Sequence, residues 1–234
     1  MLLRRLRVGR CGRLARRAMA SSTTDADPST FFTSLVFLHG NQVGPKDFRE
    51  VYMKTGGLKH KIKLLLPRAR YDPETRTHPW YPGDEPREKD LDDIRQLICR
   101  QNVPVFIGGY KEGATMALHV AISCKELDIP ISGVISIQPD EIPLPPPHDS
   151  QEYVPMIAFQ GGPGAAITVH QAREAYENWG NVEVHDQKPT AENTVHERFS
   201  YSLLWINMKL VGLTREDMMT RFMPDPLPGL GDVQ

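Results

Sequence analysis

The segment Gly109-Tyr110-Lys111-Glu112-Gly113 sets a lysine between two glycines four residues apart. An apolar, β-rich run (Val103 to Ile107) precedes it and a helical pattern (Lys111 to Lys125) follows. That spacing mounts a nucleophile on a sharp strand-to-helix turn, where glycines allow close backbone approach and the central side chain projects above the sheet. The attacking residue of the pattern is a serine, and here it is Lys111. An unperturbed lysine has a pKa near 10.4, so only about 1 in 2,500 is a free amine at neutral pH, and bringing it near 7 takes roughly 4 kcal/mol. Glu112 beside it adds negative potential and favours the ammonium form. An acyl group taken by an amine is also held as a stable amide. The spacing is that of a covalent catalyst, while the residue does not suit turnover.

Other reactive side chains fall near the ends of predicted strands. His39 and Gly40 follow the first, Asp140 and Glu141 the fourth, Gly161-Gly-Pro-Gly164 the fifth, and His196 opens the last helix. Asp140 is read as a turn carboxylate after Pro139, with the alternative that it orients His196. Hydroxyls are poorly placed: Thr115 lies one turn beyond the glycine turn and Ser136 lies within a strand. Gly161 to Gly164 lacks the lysine and serine of a phosphate loop, and Gly108-Gly109 lacks the third glycine of a dinucleotide fingerprint. Cys11, Cys99 and Cys124 have no metal-type spacing. No cofactor and no metal are expected.

The elements that must position these residues alternate. Strands are predicted over 34–38, 62–66, 103–107, 131–137, 156–159 and 182–184. Helices are predicted over about 45–54, 89–100, 111–125, 168–179 and 195–210, with Leu91, Ile94, Leu97 and Ile98 marking one apolar face. A long Pro/Arg/Asp-rich loop from Arg68 to about Pro86 carries Trp80 and Tyr81, which either line a groove or cover the core. Such alternation implies an α/β fold, a mostly parallel sheet covered by helices on both faces, with any site at the carboxyl ends of the strands.

Four segments together resemble the acyl-protein thioesterase and lysophospholipase-like carboxylesterases, a branch of the α/β-hydrolases. They are Leu35-Val-Phe-Leu-His-Gly40, Leu64-Leu-Leu-Pro-Arg-Ala69, Ile107-Gly-Gly-Tyr-Lys-Glu-Gly-Ala-Thr-Met-Ala-Leu118 and Val195-His-Glu-Arg-Phe-Ser-Tyr-Ser-Leu-Leu-Trp-Ile206. The resemblance implies that Lys111 stands at the serine position, Gly164 at the acid position and His196 at the histidine. It places the oxyanion-binding N–H groups at Asn41 and Glu112, and His39 in a structural role. Two of three triad members are thus replaced. The resemblance implies a catalytically silent or impaired homologue, a pseudoenzyme, that keeps a scaffold for an acylated protein or lipid ligand. Two alternatives stay open: an active ester or thioester hydrolase with a rearranged site using His196 and Asp140, and a non-catalytic interaction protein presenting surfaces such as Pro143-Leu-Pro-Pro-Pro147.

Composition limits the rest. The 234 residues carry a net charge of −1, and setting aside the seven arginines of Met1 to Ser22 leaves −8 on the remainder. A mildly acidic body argues against nucleic-acid binding. No apolar run is long enough for a membrane helix, so no integral membrane segment is expected. The stretch 1–22, basic, leucine-containing and free of acids, has the composition of a mitochondrial transit peptide. The alternative is a basic tail, with translation from Met19 giving a cytoplasmic form. A linker over 23–33, an α/β-hydrolase domain over 34–212 and a polar, Pro/Gly-rich tail over 213–234 complete the expected organisation.

Overall fold

The computed structural model describes residues 31–40, 43–55, 61–74, 77–81, 85–145, 154–162, 164–186 and 194–212. The basic leader, most of the linker, Asn41, Pro146, Pro147 and the tail from 213 lie outside the described residues.

Six strands form one parallel sheet: β1 (Thr33–Leu38), β2 (Ile62–Leu65), β3 (Val105–Tyr110), β4 (Gly133–Ile137), β5 (Met156–Gln160) and β6 (Val182–Asp186). Their order across the sheet is β2-β1-β3-β4-β5-β6, every neighbour pairing parallel. Five helices connect them: α1 (Pro45–Lys54), α2 (Glu88–Cys99), α3 (Glu112–Glu126), α4 (Val169–Tyr176) and α5 (Thr194–Leu210). The α/β class expected from the alternation is therefore what the chain adopts. The strand order reverses between β1 and β3, and in open α/β sheets a site is expected at the carboxyl ends of the strands flanking such a reversal.

Because strand side chains alternate, each strand supplies both faces of the sheet. Leu35, Phe37, Phe106, Ile135, Ile157 and Phe159 face one way and pack with Phe48, Val51 and Tyr52 of α1 and Phe199, Leu203, Trp205 and Ile206 of α5. Val36, Leu38, Ile107, Val134, Met156 and Ala158 face the other way, against Leu91, Ile94 and Ile98 of α2, Met116 to Leu118 of α3 and Tyr176 of α4. A strand buried on both sides cannot show polar alternation, which is why these segments read as continuous apolar runs.

Several boundaries shift by a residue or two from the sequence reading, and two of the differences have a clear physical reason. β3 runs on through Gly108 and Gly109 to Tyr110, where the glycines were expected in the turn. They serve clearance rather than backbone freedom. A Cβ on Gly108 would sit 2.7 Å from Cβ of Ile135, and one on Gly109 would sit 2.1 Å from the carbonyl oxygen of Gly113. The helix expected over 168–179 ends at Tyr176 and finishes as a 3-10 turn, Glu177–Trp179. Thr168 caps it, its hydroxyl accepting from the Gln171 N–H.

The edge strand β6 is tied to α5 by Glu183. Its carboxylate accepts from Lys209 Nζ at 2.9 Å and Trp205 Nε1 at 3.3 Å, and His185 Nε2 lies 3.9 Å away. The His185 interaction first, then Lys209 and Trp205, pull its pKa down to about 2 against the opposing effect of burial. A carboxylate with a depressed folded pKa adds stability above its unfolded value of about 4.3 and loses it as pH falls toward 2. Glu183→Gln is therefore expected to be less stable at pH 7 by about 1 kcal/mol, small because the side chain is 35% exposed. Thermal melts of the two proteins should converge as pH drops from about 4.5 toward 2; a constant gap would refute the linkage.

Candidate functional site

The elbow predicted from glycine spacing is a real turn. Tyr110 ends β3, Glu112 begins α3, and the single residue between them, Lys111, turns the chain with φ 51° and ψ −124°. A side chain in this sparsely populated region costs on the order of 1–3 kcal/mol. The surrounding backbone enforces it. A Cβ on Gly113 would lie 2.3 Å from the Leu38 carbonyl oxygen, and one on Gly40 would lie 3.0 Å from that of Tyr110. The N-terminus of α3 is thus pressed against both β1 and β3. Ala114 and Thr115 N–H both donate to the Lys111 carbonyl, closing the first turn of α3.

Four charged or polar side chains near this turn interact electrostatically: Lys111, Tyr110, Asp140 and Arg198. Lys111 Nζ lies 5.8 Å from the centre of the Tyr110 ring. It also lies 3.5 Å from where a side chain on Gly164 would begin, so the expected nucleophile and acid positions do face one another. Asp140, on the loop after β4, is within electrostatic reach: partial desolvation raises its pKa and the Lys111 charge pulls it back. Arg198 completes the group and is fully buried. Its Nη2 donates to the Gly161 carbonyl at 2.9 Å, to which Gln138 Nε2 also donates at 2.5 Å. Desolvation lowers the Arg198 pKa, opposed by Tyr110 and Glu197. Gly161, Gly162 and Gly164, which follow β5, all have positive φ.

His196 stands elsewhere. It is exposed in the first turn of α5 and lines a groove of about 720 Å³ with Asp47, Glu50 and Lys54 of α1 and Glu197 and Tyr201 of α5. Residues two apart on a helix point about 200° apart, so with Arg198 turned to the strand ends, His196 turns to solvent. The two candidate hydroxyls are engaged in structure. Thr115 Oγ1 donates to the Glu141 carbonyl at 2.9 Å and accepts from the Glu141 N–H at 3.1 Å. Ser136 is buried and accepts from the Tyr176 hydroxyl at 2.8 Å.

The loop after β1 is held from beneath. His39 Nε2 accepts from the Ala69 N–H at 3.3 Å, which assigns the ring proton to Nδ1, donating to the Gly40 carbonyl at 3.0 Å. Desolvation lowers the His39 pKa, in keeping with a neutral ring. Trp80, 2% exposed, donates from Nε1 to the His39 carbonyl at 2.8 Å. Of the two roles open to Trp80, burial and this bond make it a core support. Glu112 is buried, and its Oε1 accepts from the Tyr81 N–H at 3.0 Å, tying the long loop to the start of α3. Sequence reasoning missed Arg198 and Gln138. An arginine at i+2 from a candidate histidine, just before an apolar helix face, was the available signal. Among the described residues no cluster of His, Cys, Asp and Glu could hold a metal ion.

No protein-family model matches the sequence, and no curated protein matches it either. Solved structures do match in three dimensions. SOBER1 of Arabidopsis thaliana is 15% identical over 76% of this chain and 99% of its own, with a TM-score of 0.55. An esterase of Pyrobaculum calidifontis is 12% identical over 79% of this chain and 78% of its own, at 0.58. The RedJ thioesterase of the prodiginine pathway of Streptomyces coelicolor is 12% identical over 82% and 91%, at 0.52. This chain has the α/β-hydrolase fold. At such identities the likeness concerns the fold alone.

Lys111→Gly is expected to relieve the elbow: strain of 1–3 kcal/mol less the chain-entropy cost of glycine leaves about 1 kcal/mol gained, a Tm rise of about 2–4 °C. Lys111→Ala keeps the strained geometry and should not rise. Gly113→Ala should cost on the order of 3 kcal/mol in urea unfolding, because its new methyl meets backbone rather than a flexible side chain.

Proposed function

We propose that this protein is a catalytically silent homologue of the acyl-protein thioesterases and carboxylesterases, which keeps the hydrolase framework and has lost the covalent cycle. One observation carries the reading: the elbow retains its strain and its close-packed glycines, yet the side chain presented there is an amine facing a glycine. In hydrolases with a Ser-His-Asp triad, removing the nucleophile costs about 10⁶ in turnover and leaves roughly 10³–10⁴ over water. A rate of that size does not sustain a dedicated hydrolase. The outward placement of His196 and the engagement of Thr115 and Ser136 support the same view. An acylated protein or lipid is the ligand class the resemblance brings, and the strand ends beside Lys111 are where it would lie. The basic leader makes the mitochondrion the proposed location, with a cytoplasmic form if translation begins at Met19.

The full chain is expected to show no fluorophosphonate labelling and no turnover of a p-nitrophenyl ester or an acyl thioester above background. Turnover abolished by His196→Ala would refute the proposal in favour of a rearranged enzyme. Lys111→Ser by itself should restore little, since position 164 supplies no carboxylate; robust activity would reveal Asp140 serving as the acid.

A further inference from the structure

One peptide unit of the long loop is gripped by two imidazoles, and a proton acts differently on the two grips. Ala69 donates its N–H to His39 Nε2 at 3.3 Å, and its carbonyl accepts from His78 Nδ1 at 2.8 Å. His39 Nδ1 faces the Gly40 carbonyl at 3.0 Å, and a carbonyl only accepts. The single proton of the neutral ring therefore sits on Nδ1 and leaves Nε2 as the acceptor. A second proton must go to Nε2, where it opposes the Ala69 N–H, donor against donor. His78 is built the other way: it donates from Nδ1, and protonation of its other nitrogen leaves that bond in place. The His78 bond also lies within the loop and travels with it, whereas His39 directly follows β1.

We infer that His39 is an acid-released latch: its neutral ring holds the long loop against the end of β1, and protonation frees the Ala69 end of that loop. His39 is 4% exposed. Burial, opposed by the Gly40 bond, and then the charges of His78 and Arg68 disfavour an imidazolium there. The Trp80 ring, 5.4 Å away and tilted by 44°, offers a cation only partial compensation. The elbow packs on the His39 backbone, where a Cβ on Gly113 would lie 2.4 Å from the His39 carbonyl oxygen. Its charged residues are Lys111 and Glu112, and Glu112 Oε1 accepts from the Tyr81 N–H. With the folded value below the unfolded one of about 6.5, the latch is intact above that pH and is lost as pH falls below it. Other ties keep the release local. Arg70 pairs with Asp90 at 3.0 Å and Asp93 at 2.9 Å, and Trp80 Nε1 donates to the His39 carbonyl. Because Tyr81 bonds Glu112 at the start of α3, acid loosens the chain that leads to the elbow. The latch needs no catalytic step, so it stands whether or not the elbow is silent.

The test follows the Ala69 amide of the full chain by hydrogen exchange, corrected for the intrinsic rate, and the His39 ring nitrogens by NMR, from about pH 7.5 to about pH 5. Ala69 protection is expected to fall several-fold below about pH 6.5. The His39 ring should show the Nδ1–H tautomer at the upper end and titrate in step with the amide, a comparison that needs no variant. His39→Gln keeps an acceptor near the Nε2 position and does not titrate, so it should hold Ala69 at neutral pH and lose the acid response. His78→Gln should keep that response. Protection of Ala69 unchanged across the range would overturn the inference, as would a His39 ring that titrates with no change at Ala69. An acid response undiminished in His39→Gln would also overturn it and assign the release to Asp90, the buried carboxylate that holds Arg70.

Discussion

The close approach of α3 to β1 and β3 governs the rest of the structure. Gly109 and Gly113 let backbone meet backbone at distances no side chain would allow, and the chain between them has room for a single turning residue. That residue, Lys111, takes up the whole change of direction at φ 51°. With α3 so placed, its N-terminus lies at the carboxyl ends of β1 and β3, where the strand order reverses. Every other feature of the site is arranged about that point. The loop after β1 reaches it with Gly40 against Tyr110, Glu112 anchors the long loop through Tyr81, and Thr115 pins the loop after β4.

The side chains gathered about this turn are mostly charged. A triad stores its reactivity in a relay of hydrogen bonds from acid to imidazole to hydroxyl. Here Lys111 lies near Asp140 and the Tyr110 ring, and the buried Arg198 interacts with Tyr110. Arg198 is fully buried and bonds the Gly161 carbonyl in the turn after β5. A buried guanidinium is costly to desolvate, and its bond to the loop offsets part of that cost. Arg198 and Gln138 thus hold the strand-end turn in shape through the Gly161 carbonyl.

Much of the architecture was legible in the residues. Strands such as Ser34 to Leu38 and Val134 to Ile137 are short, apolar and bounded by breakers, and the faces of α2 and α5 follow the helical period. These signals are local, and local periodicity survives in a linear reading. The extension of β3 through Gly108 and Gly109 was not legible, because a glycine chosen for clearance looks the same in sequence as one chosen for a turn. The roles of Trp80 and Ser136 were open for a related reason. Each depends on a partner far along the chain, the His39 carbonyl in one case and the Tyr176 hydroxyl in the other.

By itself the amino-acid order determined the α/β class, the elbow, and the amine standing where a hydroxyl is expected, since these follow from spacing and residue type. Only the folded chain decided that Lys111 faces Gly164, that Arg198 turns inward, and that His196 turns outward onto the α1–α5 groove. Which side of a helix meets the core is set by the packing of the whole sheet. Two neighbours on α5 were equally polar in the sequence, and the 3.6-residue turn, combined with burial of one face, sent them to opposite sides.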